Sequence, residues 1–449
     1  MTTEGPAEGP ESEDPGVVST ASAELMANSV GDYARIWVKR IRSGESGALP
    51  VIIGLVVIVL IFQVKSSLFL SAGNLVNLMT QAAFIITLGM AEVFVLLLGE
   101  IDLAAGYTAA CGAVIALWMI AAGNPWWLAV IVALLACAAY GAVQGLVITR
   151  LGLPSFVVTL AGYLGLSGVL LFLIDSSGKH GLGGVIDLQS NVINDIEAGS
   201  LTPAISWIVM VAIVALTGLM MYLRDRRRRV AGLVAPPQSI TLLKVAVMAV
   251  AGIVVVLVGN TNRSHTALVV RGLPWVVLVV LGILVIYTVL LGRTRFGRYI
   301  YAIGGNAEAA RRAGIRVDRI RTSVFVICSA LAALSGLVAD SQSGSSAQSG
   351  TGNVLLLAVG AAVIGGTSLF GGRGRVVDAI VGGLVVEVIS YGMSNLIQGS
   401  NSSGWEEIIT GLVLLLAAGL DAVSRRGSGN SSGGFAKLLS TVLRREPKN

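Results

Sequence analysis

Apolar runs about 20 residues long recur along almost the whole chain, and they limit the fold more than any other feature. A hydrocarbon layer about 30 Å thick needs roughly 20 apolar residues as helix, and a backbone crossing it must satisfy its own N–H and C=O groups. Twelve runs fit, at residues 48–65, 75–98, 103–122, 125–148, 154–174, 202–223, 243–259, 272–292, 322–340, 354–370, 376–396 and 405–423. The chain therefore reads as an all-α polytopic membrane protein of about twelve transmembrane helices. Charged residues are only 12% of it, against roughly 25% in a soluble domain. Pro125, Pro154, Pro203 and Pro274 fall at helix starts, where the missing N–H has no internal acceptor to lose.

The main hydrophilic interruption is residues 293–321. It carries eight arginines (Arg293, Arg295, Arg298, Arg311, Arg312, Arg316, Arg319, Arg321) against two acids, Glu308 and Asp318. Such a stretch is a water-exposed loop, and its arginine excess places it in the cytoplasm. Counted from a cytoplasmic N-terminus, only Lys65, Lys179, Arg263 and Arg271 of the 31 Lys and Arg fall outside, so both termini are expected inside. Within the loop a short helix is expected. Asn306 suits the N-cap, Glu308 the first turn, Ala309 and Ala310 the body, and Gly314 the end.

The rest of the organisation follows from composition. Residues 1–47 form the cytoplasmic entry, and the first 34 hold seven acids and no Lys or Arg, which predicts a disordered tail and no cleaved signal. Residues 48–423 form the membrane domain. Within it Asp225, Arg226 to Arg229 and Pro236-Pro237 separate a helix pair around 224–260. Residues 424–449 are a flexible basic tail that the anionic inner leaflet would attract, although a merely solvated tail explains it as well. Cys111, Cys137 and Cys328 lie singly in apolar runs, and His180 and His265 lie in outside loops, so neither type has metal spacing.

Several short stretches resemble one family. Glu308-Ala-Ala with Gly314 is similar to the E-A-A-x-x-x-G loop of ABC-importer permeases, although the I-x-L-P of the wider motif is absent. Arg295-Phe-Gly-Arg298 and Tyr301-Ala-Ile-Gly-Gly-Asn306 resemble more narrowly the ribose/xylose type of monosaccharide permease, with the longer chain closest to the xylose members. So do Glu100-Ile-Asp102-Leu-Ala-Ala-Gly106, with Ala104 replacing the family's Ser, Leu153-Pro-Ser-Phe-Val-Val-Thr-Leu160, and Gly365-Gly-Thr-Ser-Leu-Phe-Gly-Gly372. The last can be laid over Gly99 to Gly106, which suggests two related halves.

The resemblance implies a permease subunit in a bacterial plasma (inner) membrane, paired with a second permease. It would be fed by a periplasmic or extracellular sugar-binding protein and driven by a separate ABC ATP-binding subunit. ATP and Mg would be used by that partner, with no cofactor bound here. Asn306, Glu308, Ala309, Ala310 and Gly314 would couple to it. For a sugar path, polarity and depth pick out Asn77, Gln81, Glu92, Glu100, Asp102, Gln144, Ser155, Thr159, Tyr163, Glu387 and Asn395. Each of these side chains could instead make an interhelix or backbone hydrogen bond.

No G-x-x-x-x-G-K-[ST] occurs, so the chain has no phosphate loop of its own. Its charge speaks for membrane lipid and orientation rather than nucleic acid. One alternative is an ion-coupled secondary transporter with Glu92, Asp102 or Glu387 carrying protons. A membrane enzyme would need an acid or histidine cluster outside, which Asp187, Asp195 and Glu197 do not make.

Overall fold

The computed structural model describes residues 49–176, 185–187, 190–233, 235–263, 270–347, 351–396 and 401–427. Most of the two predicted tails, with His180 and His265, lies outside the described residues. In order the helices are α1 (Leu49–Lys65), α2 (Ala72–Leu97), α3 (Ala105–Ala121), α4 (Trp126–Leu151) and α5 (Ser155–Ser176). There follow α6 (Asn191–Ala198), α7 (Pro203–Val230), α8 (Gln238–Asn260), α9 (Trp275–Arg293), α10 (Arg295–Gly305) and α11 (Ala307–Arg312). The last are α12 (Val317–Ser343), α13 (Thr351–Ile364), α14 (Val376–Leu396) and α15 (Asn401–Gly427). Two three-residue strands, β1 (Val185–Asp187) and β2 (Ser345–Ala347), pair antiparallel with Ile186 opposite Ser346.

Each predicted run coincides with a helix. Among the described residues eight helices are long and apolar enough to cross a membrane, namely α2, α4, α5, α7, α8, α9, α12 and α14, and α1, α3 and α13 hold shorter apolar stretches. The chain is thus an all-α polytopic membrane protein. Pro125 and Pro274 sit at N-caps, Pro154 precedes α5 and Pro203 opens α7. The run expected to reach residue 370 stops at Ile364. There the backbone turns, with the Thr367 N–H donating to the Ala362 carbonyl and the Ser368 N–H to the Arg373 carbonyl.

Residues 208–254, in α7 and α8, form one compact unit, and the other helices form a second. In the second unit α2 is the central element, buried from Ala82 through Leu98 apart from Phe84, and α9, α12, α13 and α14 pack around it. Another cluster joins α1 to α14 through Phe62, Val386 and Ile389, and a third joins α3, α4 and α5 through Leu117, Ala133 and Leu170. Lipid is as apolar as these side chains, so close fit rather than water exclusion holds such helices together. The GxxxG on α4 works in this way. A Cβ at Gly145 would lie 2.8 Å from the Thr322 Cα of α12, so the two backbones meet directly. Faces that meet nothing carry large apolar groups, such as Ile53, Val56 and Leu60 on α1, as lipid contact requires.

Candidate functional site

The loop between α9 and α12 builds an exposed tip on a seated base. Thr294 caps α10, its hydroxyl accepting from the Gly297 N–H at 3.1 Å. From there Gly297, Ile300 and Ile303 repeat every three residues and are buried, while Arg295 and Arg298 face outward. Asn306 ends α10 and caps α11, its Oδ1 accepting from the Ala309 N–H at 2.9 Å. Glu308 pairs with Arg312 at 3.2 Å and Arg311 at 3.5 Å. Glu308, Ala309 and Gly314 are exposed, and Ala310 is buried. The tip is therefore an ordered helical turn with a free outer face.

The base of α10 meets two turns from distant parts of the sequence. Gly304 touches the end of α2 so closely that a Cβ there would overlap the Leu97 carbonyl oxygen. Gly371, at φ 80°, sits where a side chain would come within 2.8 Å of the Gly99 nitrogen and 2.9 Å of the Gly304 oxygen. The Gly372 N–H donates to the Leu97 carbonyl at 2.9 Å. The Tyr301 hydroxyl donates to the Gly374 carbonyl at 2.8 Å. Burial, with the Asp378 carboxylate nearby, pushes that hydroxyl above the ordinary tyrosine range, so it stays a donor at physiological pH. The two glycine stretches that align in sequence thus touch, and α10 is wedged against both. Arg321, at the start of α12, forms an ion pair with Glu100 in the first turn.

Asp102 and Gln144 are brought together. The Gln144 Nε2 donates to Asp102 Oδ1 at 2.8 Å, and the same oxygen accepts from the Ala104 N–H at 3.0 Å. Through these two bonds Asp102 ties the turn before α3 to α4. Glu92 is fully buried close to Asp102, whose backbone N–H faces its carboxyl, and among the described residues no side chain pairs with it. The Thr159 hydroxyl is shared between the Ile101 and Phe156 carbonyls at 3.3 and 3.4 Å, which is the backbone-bonding alternative.

The remaining path candidates are dispersed. Asn77 and Asn395 are exposed, with the Asn395 amide donating to the Tyr391 carbonyl at 2.8 Å, and Gln81 and Ser155 are half-buried. Tyr163 stacks edge-on against Tyr107 at 4.7 Å, and Glu387 is buried on α14. Sequence reasoning did not single out Arg321 or Tyr301 as contacts, nor the Tyr391 hydroxyl donating to Asn74 at 2.9 Å between α14 and α2. Their partners lie 73 to 317 residues away in sequence, with no local signal. Among the described residues no group of three or more His, Cys, Asp or Glu is placed to hold a metal ion.

Residues 74–418 match the family described as branched-chain amino acid transport system / permease component. The chain belongs to this family. Among its relatives, the xylose transport system permease protein of Escherichia coli (strain K12) is 34% identical over 376 residues, covering 80% of this chain and 87% of the relative. Its counterpart in Haemophilus influenzae (strain ATCC 51907 / DSM 11121 / KW20 / Rd) is 30% identical over 84% of this chain and 96% of the relative. The ribose import permease protein of Bacillus subtilis (strain 168) is 28% identical over 85% and 95%. No solved structure matches the chain. In this permease family member, the α10–α11 loop and both glycine turns all fall inside the matched region.

Proposed function

We propose that the chain is the membrane-spanning subunit of an ATP-driven importer that carries a monosaccharide, xylose first among the candidates, into the cytoplasm. The single observation that carries this reading is the mechanical continuity of the cytoplasmic loop. The exposed turn of Glu308 and Ala309 continues into α10, and α10 is seated by Gly304 and Tyr301 on the turns that follow α2 and α13. A partner pushing on α11 would move both turns at once. The sugar assignment rests on the names of the relatives, and the external binding protein, the ATP-binding subunit, the second permease and the bacterial inner membrane rest on the family type. The path-lining roles of Asn77, Gln81, Glu92 and Glu387 belong to the same proposal.

The test is uptake by a reconstituted complex carrying Glu308→Arg. The wild-type ion pairs at this position are exposed and contribute no more than about 1 kcal/mol. The fold and membrane insertion should therefore survive while ATP-dependent uptake is lost. Unchanged uptake would remove the coupling role. The fully buried Glu92 carboxyl, with Asp102 close by, favours a second reading, an ion-coupled carrier. That reading requires uptake to collapse with the ion gradient and to continue without any ATPase.

A further inference from the structure

The hairpin of α7 and α8 contains a groove of about 680 Å³ that plays no part in the coupling junction. Its walls are apolar for most of their length, with Met210, Val214 and Leu219 on α7 facing Val245, Ala249 and Ile253 on α8. The apolar part of the α7 lining runs from Met210 to Leu219, which at 1.5 Å per residue is about 14 Å, close to the depth of one leaflet's hydrocarbon. Gly218 lets the helices close on each other beneath it, since a Cβ there would lie 3.2 Å from the Val245 Cγ1.

One end of the groove is polar. Tyr222, Asp225, Arg229, Gln238 and Thr241 line it. Asp225 is already matched, its Oδ2 accepting from the Thr241 hydroxyl at 2.7 Å and its Oδ1 from Arg224 at 3.1 Å, so it does not hold the mouth negative. The Arg229 guanidinium is fixed there by its Nη2 bond to the Pro236 carbonyl at 2.7 Å. Arg226, Arg227 and Arg228 precede it on the same helix end, and Arg226, one turn earlier, is exposed. An apolar slot one leaflet deep, ending at a fixed guanidinium with three further arginines on the same helix end, has the chemistry of an anionic phospholipid, with phosphate and Arg matching in charge and geometry.

We propose that this groove binds one anionic phospholipid of the cytoplasmic leaflet, with its phosphate at Arg229 and an acyl chain between α7 and α8. The rival occupant is the acid-rich segment 1–34, which matches the arginines in charge but offers few groups to an apolar slot. The site is independent of the transported solute. It gives the helix pair a purpose that the coupling loop does not supply.

The experiment uses the full chain in nanodiscs of phosphatidylcholine doped with spin-labelled phosphatidylglycerol or spin-labelled phosphatidylcholine. Two variants accompany it. Arg226→Gln/Arg227→Gln/Arg229→Gln removes the head-group field, and Ala249→Trp fills the slot without changing charge. The expected result is an immobilised phosphatidylglycerol population near one per chain, absent for phosphatidylcholine. The triple variant should weaken it on the order of a hundredfold, at roughly fivefold per arginine. Ala249→Trp should abolish it, with helix content unchanged in both variants. Immobilisation indifferent to head group would overturn the proposal, as would persistence in Ala249→Trp. It is equally overturned if phosphatidylglycerol binds only after residues 1–34 are deleted, because the groove would then belong to the tail.

Discussion

At the scale of single residues, the polar groups inside the bundle hold backbone more than they offer open chemistry. Asp102 spends one oxygen on both Gln144 and the Ala104 N–H, and Thr159 bonds two backbone carbonyls. Gln144→Leu should leave the buried Asp102 short of a donor at a cost of about 1–3 kcal/mol. The expected outcome is a lower thermal midpoint for the purified chain in detergent; an unchanged midpoint would mean that the amide does not hold the turn. Glu92 differs from Glu100, which Arg321 pairs, because among the described residues no side chain pairs with its carboxyl.

Among elements, α10 has the decisive position, since its glycine end lies against the α2 end and the turn at 371–374 together. Gly304→Val would drive a side chain into the Leu97 carbonyl, and overpacking of this sort costs about 1–3 kcal/mol. That is enough to displace α10 without unfolding the surrounding bundle. In proteoliposomes holding the whole complex, ATP hydrolysis should persist while sugar uptake falls by at least about tenfold. Uptake and hydrolysis falling in step would instead indicate a general loss of folded protein. Much of this was legible in the residues: each apolar run coincided with a helix, and Asn306 with Gly314 bounded α11, but α6 and α10 carry no such run and were not foreseen. The likeness of 99–106 to 365–372 also stood in the sequence, but not that the two stretches touch. Periodicity reports which face is apolar, whereas a glycine-to-glycine contact between stretches 272 residues apart, at Gly99 and Gly371, has no periodic trace. For the same reason Arg321 reads as one loop arginine among eight until Glu100 is seen beside it.

For the whole molecule, the account makes one claim about sidedness and one about a partner: α11 faces the cytoplasm, and a nucleotide-driven subunit seats on it. The three native cysteines, Cys111, Cys137 and Cys328, are all buried, so a new surface thiol can be labelled against a low background. The most direct measurement is labelling of Ala309→Cys by a membrane-impermeant thiol reagent in sealed right-side-out and inverted vesicles, with and without the ATP-binding subunit. The account predicts rapid labelling only in inverted vesicles and strong protection when that subunit is bound. Labelling from the outer face, or labelling indifferent to the ATP-binding subunit, would contradict it.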